Sequence, residues 1–331
     1  MRRMSDLAGL LQEHPPFVDA FLALLGAIAG SFASAAVYRI PREGTSLLDP
    51  KRSHCPACGA RIRWHDNLPL ISWLVLRGRC RDCRSRFGAG YLVHEVGLAL
   101  LFVAAGRSWA ALEGPVALGM VLVALTGLWI AAAIDFRHLI LPDGITLGGI
   151  PAGFAASALV PALHLRAAGG RVPWGASAFG LGPDDPQALI ALASAAVGCA
   201  GAWAGMMTIR VVFSRLLGQE AMGLGDVKYL AAVGAWLGLE GAVLTLLIGV
   251  FAGAILGVLN VVRMIVVVAA RRRRRGSRLS YTHTPWFVGW LAGRTIPFGP
   301  PLILGTILVL LAPDRVHAWV LEAWPRLAAG R

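Results

Sequence analysis

Charged residues are scarce in this sequence, and acidic residues are the scarcest. Only 15% of the 331 residues are charged, and 56% are hydrophobic, whereas a typical soluble domain is about 25% charged. Asp and Glu number 18 against 31 Lys and Arg, which gives a net charge of +13. Together with a mean hydropathy of +0.65, this composition excludes an ordinary soluble fold and predicts a protein that is solvated by lipid.

Aromatic residues are also few, at 8% of the chain. Proteins that hold single-stranded nucleic acids interleave basic residues with aromatic rings on which the bases stack, and no such interleaving is present. The basic residues stand between long apolar runs, where Lys and Arg determine the orientation of membrane helices. We therefore expect the lipid bilayer as a partner, and no nucleic acid.

The apolar runs predict an all-α polytopic membrane protein. A helix that crosses a bilayer needs about 20 predominantly apolar residues, and its backbone polar groups must be satisfied within the helix. Eight runs fit this requirement, of which the second and sixth are short: 17–38, 91–106, 115–134, 144–164, 187–209, 227–239, 241–262 and 295–312. The runs are rich in Gly and Ala, so we expect close helix packing.

Because consecutive spans cross the membrane in opposite directions, every second loop lies on the same face. Most Lys and Arg residues fall in one such set of loops, chiefly within 38–90, 210–228 and 263–294. Basic loops are retained in the cytoplasm. The pattern predicts a multi-pass membrane protein with these loops in the cytoplasm. The five arginines 271–275 are interpreted as a topology anchor that faces anionic lipid.

Cysteine is rare, and four of the five cysteines form two C-x-x-C pairs. Cys55 and Cys58 make the first pair, and Cys80 and Cys83 the second. Two such pairs at this separation are typical of a closed, tetrahedral zinc site. A loop of about fifty residues has too small a core to fold unaided, and a metal can supply the missing stability. The sequence thus predicts a structural zinc subdomain at 39–90.

Two aspartates stand at the ends of predicted spans. Asp135 directly follows the third span, and Asp226 opens the sixth. Two spans separate them, so both are expected at the cytoplasmic face. Ionisable residues at the edge of hydrocarbon are costly and mark functional sites. Two carboxylates held close together share a proton, and such a pair can activate water and protonate a leaving amine.

Several neighbours of these aspartates could support them. Gly223 and Gly225 leave room for a substrate backbone beside Asp226. Glu220 and Lys228 flank the G-x-G-D sequence and could tune its charge, although Lys228 could equally extend to the membrane surface. Asp143 follows a proline at the start of the fourth span, where a helix N-cap is the favoured interpretation.

Other residues leave alternatives open. Glu95 and His94 could pair, cap the second span or line a substrate cleft. Beyond an enzyme, the pattern allows a transporter whose carboxylates bind cations or protons, or a zinc-stapled, non-catalytic assembly scaffold. Transporters place acidic residues near mid-membrane, whereas these aspartates lie at span ends beside glycines, which favours the enzyme.

The chain resembles the prepilin peptidases, or type IV leader peptidases, in the bifunctional form that also N-methylates its product. The resemblance covers most of the chain and rests on short motifs: Gly30-Ser31-Phe32, Tyr38-Arg39-Ile40-Pro41, Ser53-His54-Cys55-Pro56-x-Cys58, Asn67-Leu68-Pro69, Arg77-Gly78-Arg79-Cys80-x-x-Cys83, Tyr91 with Glu95, Asp135 with Leu141-Pro142-Asp143, Glu220-Ala221-Met222-Gly223-Leu224-Gly225-Asp226-Val227-Lys228, and Ile296-Pro297-Phe298-Gly299-Pro300.

The resemblance implies that Asp135 and Asp226 are catalytic. It implies a substrate, the short basic leader of a type IV prepilin or pseudopilin, which is cut at the cytoplasmic membrane face. It also implies S-adenosylmethionine as methyl donor, although no glycine-rich nucleotide motif is present. The expected organisation is a first transmembrane helix at 17–38, the zinc subdomain at 39–90, a transmembrane peptidase domain at 91–312 and a C-terminal tail at 313–331. The sequence leaves the oligomeric state and the particular pilin open.

Overall fold

The computed structural model describes residues 15–42, 54–275 and 297–323, and within these ranges the secondary structure is helical, without a strand. The expected all-α class is therefore confirmed. The α-helices are α1 Pro15–Arg39, α2 Ile71–Leu76, α3 Gly90–Ala105, α4 Ala111–His138, α5 Asp143–Leu159, α6 Ala162–Ala167, α7 Trp174–Ser177, α8 Gln187–Leu217, α9 Leu224–Arg275, α10 Gly299–Leu311 and α11 Pro313–His317.

Five helical segments of the described chain are long and apolar enough to cross a membrane. They are Pro15–Arg39, Gly90–Trp109, Gly114–His138, Gln187–Leu217 and Leu224–Val267. A sixth is added if α10 and the segment after it, which meet at 114°, are counted as one bent span. The count is lower than the eight predicted runs because two of those runs lie on α9, and because α5 has only 17 residues.

Helix α9 contains a chain reversal at Gly238. This glycine has a φ of 72°, outside the helical region. The Tyr229 hydroxyl lies 2.5 Å from that of Thr306, and the carbonyl of Thr245 lies against the neighbouring Gly305. In a straight helix residues 229 and 245 would be about 24 Å apart, so the two arms of α9 must run back along each other. The predicted spans 227–239 and 241–262 correspond to these arms.

Several predicted span boundaries differ from the helix ends; α8, for example, continues to Leu217, past the expected end at 209. The run 144–164 is broken after Leu159, and a separate short helix follows from Ala162, because Pro161 cannot donate a backbone hydrogen bond within a continuous helix. The second arm of α9 extends to Arg275, although the expected span ended at 262 before Arg263. The C-terminal tail beyond 323 lies outside the described residues.

Close helix packing through glycine was expected and is present. A Cβ on Gly30 of α1 would lie 2.4 Å from the Cα of Glu95 on α3. A Cβ on Gly234 of α9 would lie 2.2 Å from the carbonyl oxygen of Gly198 on α8. Larger side chains at either position would push the helices apart, so the approach of these backbones depends on glycine.

Between α1 and α3 the chain forms a small subdomain from two similar turns. In the first, the N–H of Cys55 bonds to the carbonyl of Ala60, and in the second that of Cys80 bonds to the carbonyl of Ser85, both at 2.9 Å. The flanking residues pair as isolated bridges, His54 with Arg61 and Arg79 with Arg86. Each turn therefore presents its C-x-x-C thiols in the same way.

Candidate active site and four-cysteine centre

Asp135 lies near the C-terminal end of α4 and is 6% exposed. Its Oδ2 accepts a hydrogen bond of 3.1 Å from the backbone N–H of Gly299, the first residue of α10. The first N–H groups of a helix have no partner within it and carry partial positive charge. Helix α10 therefore orients the Asp135 carboxylate by an interaction that stabilises its negative charge.

Asp226 lies in the first turn of α9, and the structure brings it together with Asp135. The two carboxylates are close enough for their charges to interact. Leu141 connects their surroundings, because its side chain would contact a Cβ placed on either Gly225 or Gly299. Two acidic groups from separate spans thus converge at one end of the helical domain.

The two glycines of the G-x-G-D sequence have different surroundings. A Cβ on Gly225 would lie 3.3 Å from the Cβ of Leu141, so this glycine permits tight packing. A Cβ on Gly223 would meet only ordinary contacts, the nearest at 3.8 Å from Oδ2 of Asp226. The space expected beside Asp226 is therefore present at Gly223, while Gly225 serves the helix packing.

Lys228 and Asp143 form an ion pair. The Lys228 Nζ lies 2.8 Å from Oδ1 of Asp143 and joins α9 to the start of α5. No side-chain cap bond is present at the start of α5, where Pro142 occupies the N-cap position. The N-cap interpretation of Asp143 is thus replaced by a pairing between two residues of the predicted site.

Arg210 of α8 holds the segment that precedes Asp226, and the sequence analysis did not single it out. It donates to the carbonyl of Met222 and to Oε1 of Glu220, both at 3.1 Å. On the same helix, the Ser214 hydroxyl accepts a bond from the N–H of Ala221. Glu220 therefore pairs with Arg210 and does not contact the aspartates directly. The only sequence signal for Arg210 is a charge near the end of an otherwise apolar span.

The four cysteines of the two turns converge. One Sγ atom from each of Cys55, Cys58, Cys80 and Cys83 lies within 4.8 Å of the others, and Cys55 and Cys83 are 3.8 Å apart. Tetrahedral zinc with sulfur ligands at about 2.3 Å requires S–S separations of about 3.8 Å. The backbone N–H of Ala57 lowers the pKa of Cys55 to about 6, whereas the neighbouring thiols raise the pKa of Cys58, so the thiols titrate as a coupled group. The cluster could therefore hold a metal such as zinc.

Glu95 lines a cavity of about 280 Å³ between α1, the cysteine subdomain and α3. It is 7% exposed, and it accepts hydrogen bonds from the N–H of Leu70 at 2.8 Å and from Ser31. His94 instead accepts from the indole N–H of Trp129 at 2.9 Å. Of the alternatives considered for this pair, Glu95 lines the cleft, while His94 contacts α4.

Carboxylates that converge from the ends of separate helices inside an apolar domain define a class, the membrane-embedded aspartic peptidases. The chain belongs to the Type IV leader peptidase family, whose model matches residues 122–258. A second model, the Bacterial Peptidase A24 N-terminal domain, matches residues 24–109. The transporter and scaffold alternatives are not favoured by this membership.

Curated relatives extend the match along most of the chain. A Klebsiella pneumoniae protein named Prepilin leader peptidase/N-methyltransferase is 35% identical over 241 residues, which is 71% of this chain and 92% of that protein. A Pseudomonas putida protein of the same name is 31% identical over 330 residues, covering 93% of this chain and 95% of that protein. No solved structure matches the chain.

Proposed function

We propose that this chain is a membrane aspartic endopeptidase that removes the leader of type IV prepilins or pseudopilins and then N-methylates the new N-terminus. The observation that carries the peptidase proposal is the convergence of Asp135 and Asp226 at one end of the helical domain. The family match and the names of the relatives support the same reaction.

In the proposed mechanism the two aspartates share one proton over the scissile peptide. The ionised carboxylate accepts a proton from the attacking water, and the protonated one donates to the leaving amine. Because the two groups titrate together, neither role is assigned to one residue. The N–H of Gly299 keeps Asp135 Oδ2 in a fixed orientation, and Arg210 supports the backbone before Asp226.

The proposed orientation places this end of the domain in the cytoplasm. Lys and Arg outnumber Asp and Glu in the cysteine subdomain and in the segment 210–228, and the second of these contains Asp226. Arg137, two residues after Asp135, reaches to within 3.2 Å of the Cβ position of Gly90, where the chain leaves the subdomain. The positive-inside rule supports a cytoplasmic location for a surface with this charge. We keep the expected division into a first span, zinc subdomain, peptidase domain and tail as part of the proposal.

Zinc bound by Cys55, Cys58, Cys80 and Cys83 is proposed to be structural. The four thiols fill a tetrahedral shell, which leaves no open position for a substrate or water. The subdomain also has little apolar core of its own, since among its residues 54–89 only Cys55 and Gly78 are buried. When bound, the metal would stabilise the two turns and through them the loop that carries Leu70 to Glu95.

The methyl donor is proposed to be S-adenosylmethionine, bound in the cavity beside Glu95. A buried carboxylate and the aromatic rings of Tyr38 and Tyr91 line this space, and both kinds of group stabilise a cationic sulfonium. The donor supplies the methyl group. The residues that line the cavity would bind and orient it, and the Glu95 carboxylate would stabilise its positive charge.

Detergent-solubilised protein mixed with a prepilin tests the peptidase. Wild type should lower the mass of the prepilin by that of its leader, while Asp135→Asn and Asp226→Asn should stay folded and leave it intact. Asp184→Asn, in an exposed loop, is the matched control and should cleave normally. Complete cleavage of the prepilin by both Asp→Asn variants would rule out the aspartic mechanism.

The methyl step is tested separately with S-adenosylmethionine present. Wild type should add the mass of one methyl group to the cleaved pilin. Glu95→Gln keeps the shape of the side chain but removes its charge, so cleavage should continue while methylation falls. Unchanged methylation by Glu95→Gln would reject the cavity as the donor site, without affecting the peptidase proposal.

A further inference from the structure

A groove of about 790 Å³ lies beside helix α2 and the second cysteine turn. Its lining contains five arginines: Arg77, Arg79, Arg81, Arg84 and Arg86. Their guanidinium groups carry five positive charges around one concave surface, so the groove presents a strongly positive field to any ligand.

The nearby acidic residues neutralise only one of these five charges. Asp66 accepts a bidentate pairing from Arg81, and Asp82 lies 3.7 Å from Arg63, which is outside the groove. Within the described part of the chain, the other four arginines of the groove form no ion pair. The field of the groove is therefore available to an anionic partner.

An exposed apolar stripe adjoins the arginines. On α2, Ile71, Leu74 and Val75 are spaced so that they share one helix face, and they are 58%, 64% and 68% exposed. Val75 also lines the groove, so the stripe and the arginines form one continuous surface. A helix that exposes an apolar face beside basic residues is typical of segments that lie in the membrane interface.

We infer that this surface, α2 together with the arginine groove, binds the headgroups of anionic lipids while the stripe enters the edge of the hydrocarbon. Free phosphate would satisfy the arginines but not the stripe. The basic leader of a prepilin would be repelled by the groove. The subdomain is also bound to the bilayer through both of its neighbours, since α1 ends at Arg39 and α3 begins at Gly90.

The binding should depend on lipid charge. Each basic residue near an anionic membrane surface adds to the attraction, so reversing two arginines should weaken headgroup binding roughly thirtyfold or more. Arg77 and Arg86 are the best positions to change, because each stands three residues from the nearest cysteine. Neither belongs to the residues proposed for cleavage or methyl transfer.

The test uses the full-length protein in nanodiscs of phosphatidylcholine alone and with added phosphatidylglycerol. Hydrogen exchange of the amides in 64–88 should slow as the anionic lipid increases in wild type, and native mass spectrometry should detect retained phosphatidylglycerol. The variant Arg77→Glu/Arg86→Glu should lose both effects, and Arg171→Glu, in the loop between α6 and α7, should lose neither. Zinc content and prepilin cleavage in detergent check that the variants are folded.

Three results would overturn the inference. Equal protection of 64–88 in both nanodiscs would show that the surface does not detect lipid charge. Equal lipid retention by wild type and the double variant would show that the arginines are not the site. Protection that appears only after a prepilin is added would assign the surface to the substrate instead.

Discussion

The backbone nitrogen of Gly299 lies 3.1 Å from Oδ2 of Asp135 and donates a hydrogen bond to it. Helix α10, near the end of the described chain, therefore orients a carboxylate of α4. The contact is possible only because residue 299 has no side chain, since a Cβ there would lie 2.6 Å from the same oxygen. The geometry of Asp135 therefore depends on a residue that has no chemical function of its own.

Gly299→Ala should slow prepilin cleavage by roughly tenfold or more, because a shift of about 1 Å in a reacting group can cost about a hundredfold in rate. The variant should still fold. Initial cleavage rates and thermal unfolding measure the two effects. Gly148→Ala on α5, where a Cβ meets nothing within 4 Å, is the control and should cleave normally. Normal cleavage by Gly299→Ala would show that the carboxylate is not held by this contact.

The Lys228–Asp143 pair should contribute little to stability. The side chain of Asp143 is 61% exposed, and exposed pairs are worth about 0–1 kcal/mol. A double-mutant cycle of Lys228→Ala and Asp143→Ala, followed by thermal unfolding, should give a coupling free energy in that range. Cleavage rates from the same four proteins should also be non-additive, because both residues flank the aspartates. Strict additivity in both measurements would show that the pair does not form.

Removal of the proposed zinc should unfold the cysteine subdomain while the helices persist. Purified protein is expected to hold one zinc per chain, and Cys83→Ser should lose it. Limited proteolysis within 54–88 should then become fast, while circular dichroism retains its helical signal. Cys199→Ser, which changes a cysteine within α8, should keep the metal. A metal analysis of wild type that finds no zinc would refute the site.

Arg84→Gly should strengthen the second cysteine turn. Arg84 has a φ of 59°, and its counterpart in the first turn is Gly59, with a φ of 71°. A left-handed conformation costs a residue with a side chain about 1–2 kcal/mol relative to glycine. When a chelator is added, zinc should therefore dissociate more slowly from the Arg84→Gly variant than from wild type. The converse change, Gly59→Ala, should speed its release, and identical release rates for all three proteins would contradict the argument.

Gly238→Ala should destabilise the membrane domain. Its φ of 72° disfavours any other residue, and a Cβ would lie 2.5 Å from Oγ of Ser194. The loss should be at least about 1–2 kcal/mol from the backbone conformation alone, with a further cost from the overlap. Thermal unfolding in detergent measures it. Gly205→Ala on α8, where a Cβ has open space, should have no such effect.

The sequence was sufficient to predict the features that rest on residue type and spacing. The C-x-x-C pairs and the two span-end aspartates were identified in this way, and the structure brings both sets together. Hydropathy located the long helices, but it could not find the end of α9 beyond Arg263. A helix continues wherever its backbone is satisfied, even where its side chains turn basic.

Contacts between distant segments could not be predicted. The bond from Gly299 to Asp135 uses a backbone N–H, which every residue except proline possesses. The role of Arg210 depends on how α8 packs against the segment before Asp226, and its charge alone resembles a topology signal. The pairing of Asp143 with Lys228 required the fold to bring two helix starts together.

The shortness of the first arm of α9 has a consequence for the surrounding membrane. From Leu224 to the reversal at Gly238, the arm rises about 21 Å, whereas the hydrocarbon core is about 30 Å thick. One end of the arm must therefore lie below the level of the headgroups, unless the lipid is locally compressed. If Asp226 is at the submerged end, water reaches it only through a local depression in the bilayer. A scissile peptide bond must then move below the membrane surface before the aspartates can cleave it.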